Sequence, residues 1–277
     1  MKNNLNNSTE NKKNKSDKNL KKDENKYLEK NLFIKLARKK MQIEEFYSFL
    51  KKCPDKFFQN TDLETELLLA NGLPLVFDKN LVYLQTLNTR IQNQVFCVVD
   101  IETNGNNVQE GQIIEIGALK YKNGEILDKY ESLVYAKKIP SYVQGVTNIS
   151  PQMLVNAPSL EHVLQEFKIF LDSDVFVAHD VNFDYNFISD LFEKYDLGKL
   201  QNRKLCTIKL AKRTIKAPRY GLDYLKELLN INIPNQHRAY SDALSASYVL
   251  KESLKQIKKY NFSTEELIEF SKTAKAL

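Results

Sequence analysis

The chain has 277 residues, 42% of them hydrophobic, and a formal net charge of +6, which suits one good-sized core with a smaller appendage. No run of about 18 apolar residues occurs, which excludes a membrane-spanning helix. Cys53, Cys97 and Cys206 lie far apart without disulfide or metal spacing, which fits a reducing cytoplasm.

Nine of the 41 basic and five of the 35 acidic residues fall within residues 1–30, leaving 32 against 30 in the rest. The basic excess therefore belongs largely to the N-terminus. Residues 1–26 are Lys/Asn-rich, lack the apolar stretch of a secretory signal, and read as a disordered, solvated tail. Residues 27–92 read as a small module. "YLEKNLFIKLARKKMQIEEFYSFLKK" has helical apolar spacing and is stopped by Pro54. "TDLETELLLANG" predicts a helix capped by Thr61 or Asp62 and closed at Asn71-Gly72. "LPLVFDKNLVYLQT" predicts a hairpin around Asp78-Lys79-Asn80. Helices followed by a hairpin suggest a winged-helix-like unit or a docking appendage.

Residues 93–258 form the main predicted domain. "QVFCVVDIE" is a strand, and "QIIEIGALKYKNGEILDKYESLVY" is two more joined at Asn123-Gly124. "APSLEHVLQEFKIFLD" is a helix, "DVFVAHD" a strand and "NFDYNFISDLFEKYD" a helix with Asn182 as candidate cap. "CTIKLAKRTI", "GLDYLKELLN" and "RAYSDALSASYVLKESLKQI" are further helices. A hairpin-rich sheet followed by strand–helix alternation is an α/β fold with a mixed sheet. Residues 259–277 predict a C-terminal helix capped by Ser263 or Thr264.

Three short motifs carry chemistry. In "VVDIETNG", Asp100 and Glu102 stand two apart on a strand and so share a face. They lie near its C-terminal end, where open α/β sheets place their sites. Two carboxylates there suit a hard divalent cation; a loop cap or a Lys pairing is the alternative. Asp184 falls in the first turn of the helix after "DVFVAH". In "HRAYSDA", positions five apart on a helix diverge by about 140°. His237 is thus expected in the preceding loop and Asp242 one turn into the last helix. His162, alone inside "SLEHVLQEF", is expected to have no functional role. Four carboxylates and one His are the parts of a two-metal phosphodiester hydrolysis, with a near-neutral His to take a proton from water.

In this order the motifs resemble those of the DEDDh 3′→5′ exonucleases, the DnaQ-like superfamily with an RNase H-like fold. The resemblance covers roughly residues 93–255 and is nearest to the epsilon proofreading subunit of bacterial DNA polymerase III. "VVDIETNG", "FVAHDVNFDYNFI" and "HRAYSDA" match the three family motifs, with softer matches at "VQGVTNISPQML", "APSLEHVLQEF" and "LCTIKLAKR". The resemblance implies that Asp100, Glu102, Asp184 and Asp242 bind two Mg²⁺ or Mn²⁺ ions and that His237 is the general base. It also implies that Thr103, Asn104, His179 and Phe183 line the pocket of the terminal nucleotide. The implied substrate is a single-stranded or frayed DNA 3′ end, and the implied partners are a polymerase catalytic subunit and a sliding clamp. No Gln-Leu-x-Leu-Phe clamp pattern stands out. Asp180 departs from the family's usual Asn. Lys209, Lys212, Arg213, Lys216 and Arg219 are the phosphate-facing candidates, or a solvated helix face. An RNA exonuclease of the RNase T or oligoribonuclease type, and a non-catalytic docking module, are the alternatives.

Overall fold

The computed structural model describes residues 32–53, 56–234 and 237–277. The predicted tail (1–26) and the predicted stop at Pro54 lie outside these residues. The chain divides into two compact units. One holds the described residues up to Leu67 together with Leu75–Leu84, and the other holds Leu68–Pro74 and Gln85–Leu277.

The first unit contains strand β1 (Met41–Gln42), helix α1 (Ile43–Lys52), most of α2 (Thr61–Ala70), β2 (Leu75–Asp78) and β3 (Leu81–Leu84). Its sheet has the order β1-β3-β2 and is antiparallel. The two-residue turn falls at Lys79-Asn80, with Lys79 at φ 54°, as the hairpin reading predicted. The continuous helical pattern over 27–52 is interrupted, because Met41 and Gln42 pair with Val82 and Leu81. Strand pairing and the burial of Met41 outweigh helical periodicity there. Helix α2 is capped by Asn60, not by Thr61 or Asp62: Asn60 Oδ1 accepts the backbone N–H groups of Asp62 and Leu63 at 2.8 and 3.3 Å.

The second unit is built on a five-stranded mixed sheet, β4 (Phe96–Thr103), β5 (Ile113–Lys122), β6 (Glu125–Leu133), β7 (Val175–Ala178) and β8 (Lys204–Cys206), in the order β6-β5-β4-β7-β8. β4, β5 and β6 run antiparallel, while β7 and β8 join β4 in parallel. Asn123 (φ 49°) and Gly124 (φ 96°) form the hairpin turn between β5 and β6. This is the positive-φ pair that Asn-Gly adopts readily. Alternation along β4 divides the core. Cys97, Val99 and Ile101 face a layer with Val163, Phe167, Ile188 and Leu191, from helices α6 (Leu160–Leu171) and α7 (Val181–Lys194). Phe96 and Val98 face Ala246, Leu250, Leu267 and Ile268, from α10 (Ala239–Ile257) and α11 (Thr264–Thr273). Ser263 caps α11 in a reciprocal box with Glu266, as its sequence predicted. Short helices α3 (Gln85–Asn88), α4 (Ser141–Thr147), α5 (Pro151–Leu154), α8 (Thr207–Thr214) and α9 (Leu222–Leu228) complete the unit. No helix among the described residues is long and apolar enough to cross a membrane.

Candidate active site

The polar end of β4 emerges where β7 has already stopped. Asp100 and Glu102 lie on the strand face turned towards α10, in register with Gly117 and Glu115 of β5. Asp242, the fourth residue of α10, reaches the same place. One carboxylate oxygen from each of Asp100, Glu102 and Asp242 lies within 4.8 Å of the others. Asp184 comes from the first turn of α7 on the other side of the strand. It is 4% exposed, and its Oδ1 accepts the Ile101 backbone N–H at 3.3 Å. The structure therefore brings the four predicted acids to the end of one strand, three in a close triad and Asp184 bonded to the strand backbone between Asp100 and Glu102.

The cap predicted at Asn182 is displaced. α7 begins at Val181, and Asp180 occupies its N-cap position in the left-handed region (φ 76°). Such a backbone is one that Asn and Asp tolerate better than most residues. The Asp180 side chain is exposed, so the departure from Asn adds a charge facing solvent.

His237 is in the loop before α10, as predicted, in a left-handed conformation (φ 57°). Its backbone N–H donates to Asp242 Oδ2 at 3.1 Å, which ties the loop to the triad. Thr103 donates its hydroxyl to Gly105 O, and the Asn104 amide spans Gln112 N (2.7 Å) and Lys138 O (3.0 Å). Both fix the turn after the triad strand. The ring nitrogens of His179 are taken up by Thr207 Oγ1 (2.8 Å) and the Tyr220 carbonyl (2.9 Å). Nε2 faces a carbonyl, which can only accept, so it carries a proton, and the Thr207 hydroxyl beside Nδ1 also reaches the Ala178 carbonyl at 3.3 Å. His179 thus braces the strand end, and its polar atoms are not offered to a nucleotide. Phe183, one residue before Asp184, is 44% exposed and packs on Phe187. Of the basic candidates, Arg213 donates to the Lys209 and Lys272 carbonyls and Lys212 lies over the Tyr220 ring, while Lys216 and Arg219 are exposed. His162 pairs with Glu166 on the surface.

Crowded, desolvated carboxylates hold protons tightly. Burial, then Asp184, Glu102 and Asp242, push Asp100 well above the carboxylate range. Burial and Asp242 push Glu102 up to about 8, and burial pushes Asp184 up to about 7. Asp242 is also raised by burial, with Lys226 and His237 opposing. The unfolded chain releases these protons near ordinary values of 3.8 to 4.5. Between there and about 8 the folded state binds more protons, so stability falls as pH rises through that window. Thermal unfolding in chelator is expected to give a higher Tm at pH 5.5 than at pH 8, the gap narrowing when Mn²⁺ is added. A metal-free Tm that rises across this range would contradict the crowding.

The triad fits a metal by its own chemistry. All three donors are carboxylate oxygens, the set that hard divalent cations take. Asp242 Oδ1 is buried and has no hydrogen-bond partner among the described residues, a costly arrangement unless something else meets it. The acidic triad is thus suited to a divalent cation.

The profile of an exonuclease family of the RNase T type matches residues 97–250, the span that holds the triad, Asp184 and His237. The chain belongs to this exonuclease family. Among its relatives is the PolC-type DNA polymerase III of Staphylococcus saprophyticus, 33% identical over 194 residues, which are 69% of this chain and 13% of that protein. The PolC-type enzyme of Staphylococcus aureus is 32% identical over 195 residues, with the same 69% and 13%. The chain therefore spans about an eighth of the length of these relatives. Escherichia coli exonuclease I in complex with a dT13 oligonucleotide shares the fold, with a TM-score of 0.54 at 12% identity over 60% of this chain and 42% of that one. The mixed five-stranded sheet flanked by helices is the RNase H-like exonuclease fold.

One participant escaped the sequence reading. Glu115, 1% exposed on β5, holds the start of α10. A lone Glu inside the apolar run "IIEIGALKY" is the signal that could have found it, since a buried charge needs a partner.

Proposed function

We propose that the exonuclease is a metal-dependent 3′→5′ enzyme that releases nucleoside 5′-monophosphates from single-stranded or frayed DNA 3′ ends. In this reading it serves as the proofreading, epsilon-like component of a bacterial replicative polymerase. The observation that carries the proposal is the convergence of the Asp100, Glu102 and Asp242 carboxylates inside a family-matched exonuclease domain.

Asp100, Glu102, Asp242 and Asp184 would hold two divalent ions, Mg²⁺ or Mn²⁺. Bound ions supply charge stabilisation to the phosphoryl oxygens and to the attacking and leaving groups. His237, tied by its backbone to Asp242, would accept the proton of the attacking water. Thr103 and Asn104 would shape the turn against the terminal nucleotide, with the exposed Phe183 ring as a surface on which a base can stack. His179 would contribute by holding the pocket wall.

The relatives named as PolC-type polymerases support DNA over RNA and a polymerase partner; a sliding clamp would follow from that setting. The N-terminal unit, with its helices and three-stranded sheet, would be a winged-helix-like docking module of that assembly. The C-terminal helix would close the exonuclease domain. The test is a competition between matched single-stranded DNA and RNA with labelled 3′ ends, in Mg²⁺. DNA is expected to be shortened one 5′-monophosphate at a time, at least tenfold faster than RNA. Preference for RNA would move the protein to the RNA-exonuclease class, and cleavage from 5′ ends would refute the reading.

A further inference from the structure

The start of α10 carries two of the proposed site residues, Asp242 inside it and His237 just before it, yet its own N-cap residue cannot cap it. Arg238 stands at that position with no side-chain bond to the helix N-terminus. The missing acceptor comes from β5, 123 and 124 residues earlier in the chain. Glu115 Oε2 accepts the Ala239 backbone N–H at 2.9 Å. The Arg238 guanidinium donates through Nε to both Glu115 oxygens at 3.0 and 3.1 Å, and through Nη2 to Oε1 at 2.5 Å. Glu115 is thus a buried carboxylate with its acceptor capacity filled by one helix start.

Its place on the sheet gives this bond a purpose. Glu115 is the cross-strand neighbour of Glu102, and Gly117 that of Asp100, so Glu115 and Gly117 share the face of the DxE pair. A Cβ on Gly117 would lie 2.0 Å from Tyr240 N and 2.2 Å from Ala239 C. The helix backbone therefore rests directly on the strand at Gly117 and is fastened beside it at Glu115. Asp242 N donates to Arg238 O and His237 N to Asp242 Oδ2, so displacement of Arg238 would pass to both site residues.

We infer that Glu115, through its paired bonds to Arg238 and the Ala239 N–H, is a positioning residue that sets His237 and Asp242 against Asp100 and Glu102. Its carboxylate lies outside the acidic triad and is bonded to Arg238 and the Ala239 N–H. The inference rests on the proposed function for its catalytic consequence, but its structural core is read without activity.

The experiment compares Glu115→Gln and Arg238→Lys, which keep shape or charge while losing the fork, with Arg203→Lys as control. Arg203 makes an equally close two-point pair with Glu265, at 2.7 and 2.7 Å, away from the triad strand. For folded protein, E115Q and R238K are expected to lower kcat for 3′-nucleotide release about 10²-fold, the scale of a misplaced site. KM should stay within about threefold, and the double variant should be no slower than the worse single one, as for residues acting as a unit. Mn²⁺ affinity of E115Q, by calorimetry, should weaken about tenfold, because Asp242 moves with the helix start. R203K should lower Tm and leave kcat and Mn²⁺ affinity unchanged. Wild-type Mn²⁺ affinity in E115Q, kcat within threefold of wild type, additive losses in the double variant, or an equal loss in R203K would each overturn the inference. A wild-type protein that binds Mn²⁺ but releases no nucleotide would refute the proposed function alone, and the Mn²⁺ comparison would still decide the positioning.

Discussion

Asp100→Asn is expected to lower nucleotide release by on the order of 10³-fold, the equivalent of about 4 kcal/mol of charge stabilisation that a misassembled metal site no longer supplies. Asn keeps the shape of the side chain but halves its capacity as an oxygen donor. The same substitution is expected to raise the Tm of the metal-free protein at pH 8. Burial and then the like charges of Asp184, Glu102 and Asp242 oppose the ionisation of Asp100, so a neutral amide relieves both. The gain should shrink as pH falls, because the raised wild-type carboxyl then takes up its proton and the repulsion is relieved without the substitution. Gain of stability with loss of function marks a group kept for its chemistry. Tm and initial rates on one 3′-labelled oligonucleotide measure both effects, and a variant that is less stable without metal, or that retains a tenth of the rate, would remove Asp100 from the centre of the site.

Gly117→Ala is expected to cost both stability and activity. The atoms that a Cβ would meet are backbone atoms of Ala239 and Tyr240, which cannot swing aside as a flexible side chain would. Relief requires α10 to lift from β5. Overpacking of this kind costs about 1–3 kcal/mol, and the lift carries Asp242 away from Asp100 and Glu102. Denaturant unfolding should show the loss, and kcat should fall about 10²-fold with KM little changed. A stable and fully active Gly117→Ala protein would mean that the helix start does not bear on the strand.

The sequence made the acidic cluster legible because local rules suffice there. Alternation placed Asp100 and Glu102 on one strand face. The clash between five-residue spacing and helical periodicity placed His237 outside the helix that holds Asp242. Asn123-Gly124 announced its turn because few other dipeptides accept two positive φ angles. Where long-range contacts decide, the sequence was silent. The pattern around Met41 reads as helix until β3, some forty residues later, offers it a strand partner. Asn182 is a plausible cap by type, but the left-handed backbone at Asp180 starts α7 earlier. His179 sits inside a family motif, yet its ring is spent on Thr207 and on a carbonyl 41 residues away. Glu115 stands out as a charge inside an apolar run, but the sequence does not say what it pairs with, since its partner lies 123 residues on.

The most direct test of the cation site is thermal unfolding of the wild-type protein at pH 8 as Mn²⁺ is raised from chelated to millimolar. A site formed by Asp100, Glu102 and Asp242 predicts a Tm that climbs with metal, stabilisation reaching about 2.7 kcal/mol at a hundred times Kd, and an Asp100→Asn protein that barely responds. A flat Tm in the wild type, or an equal rise in the variant, would contradict it.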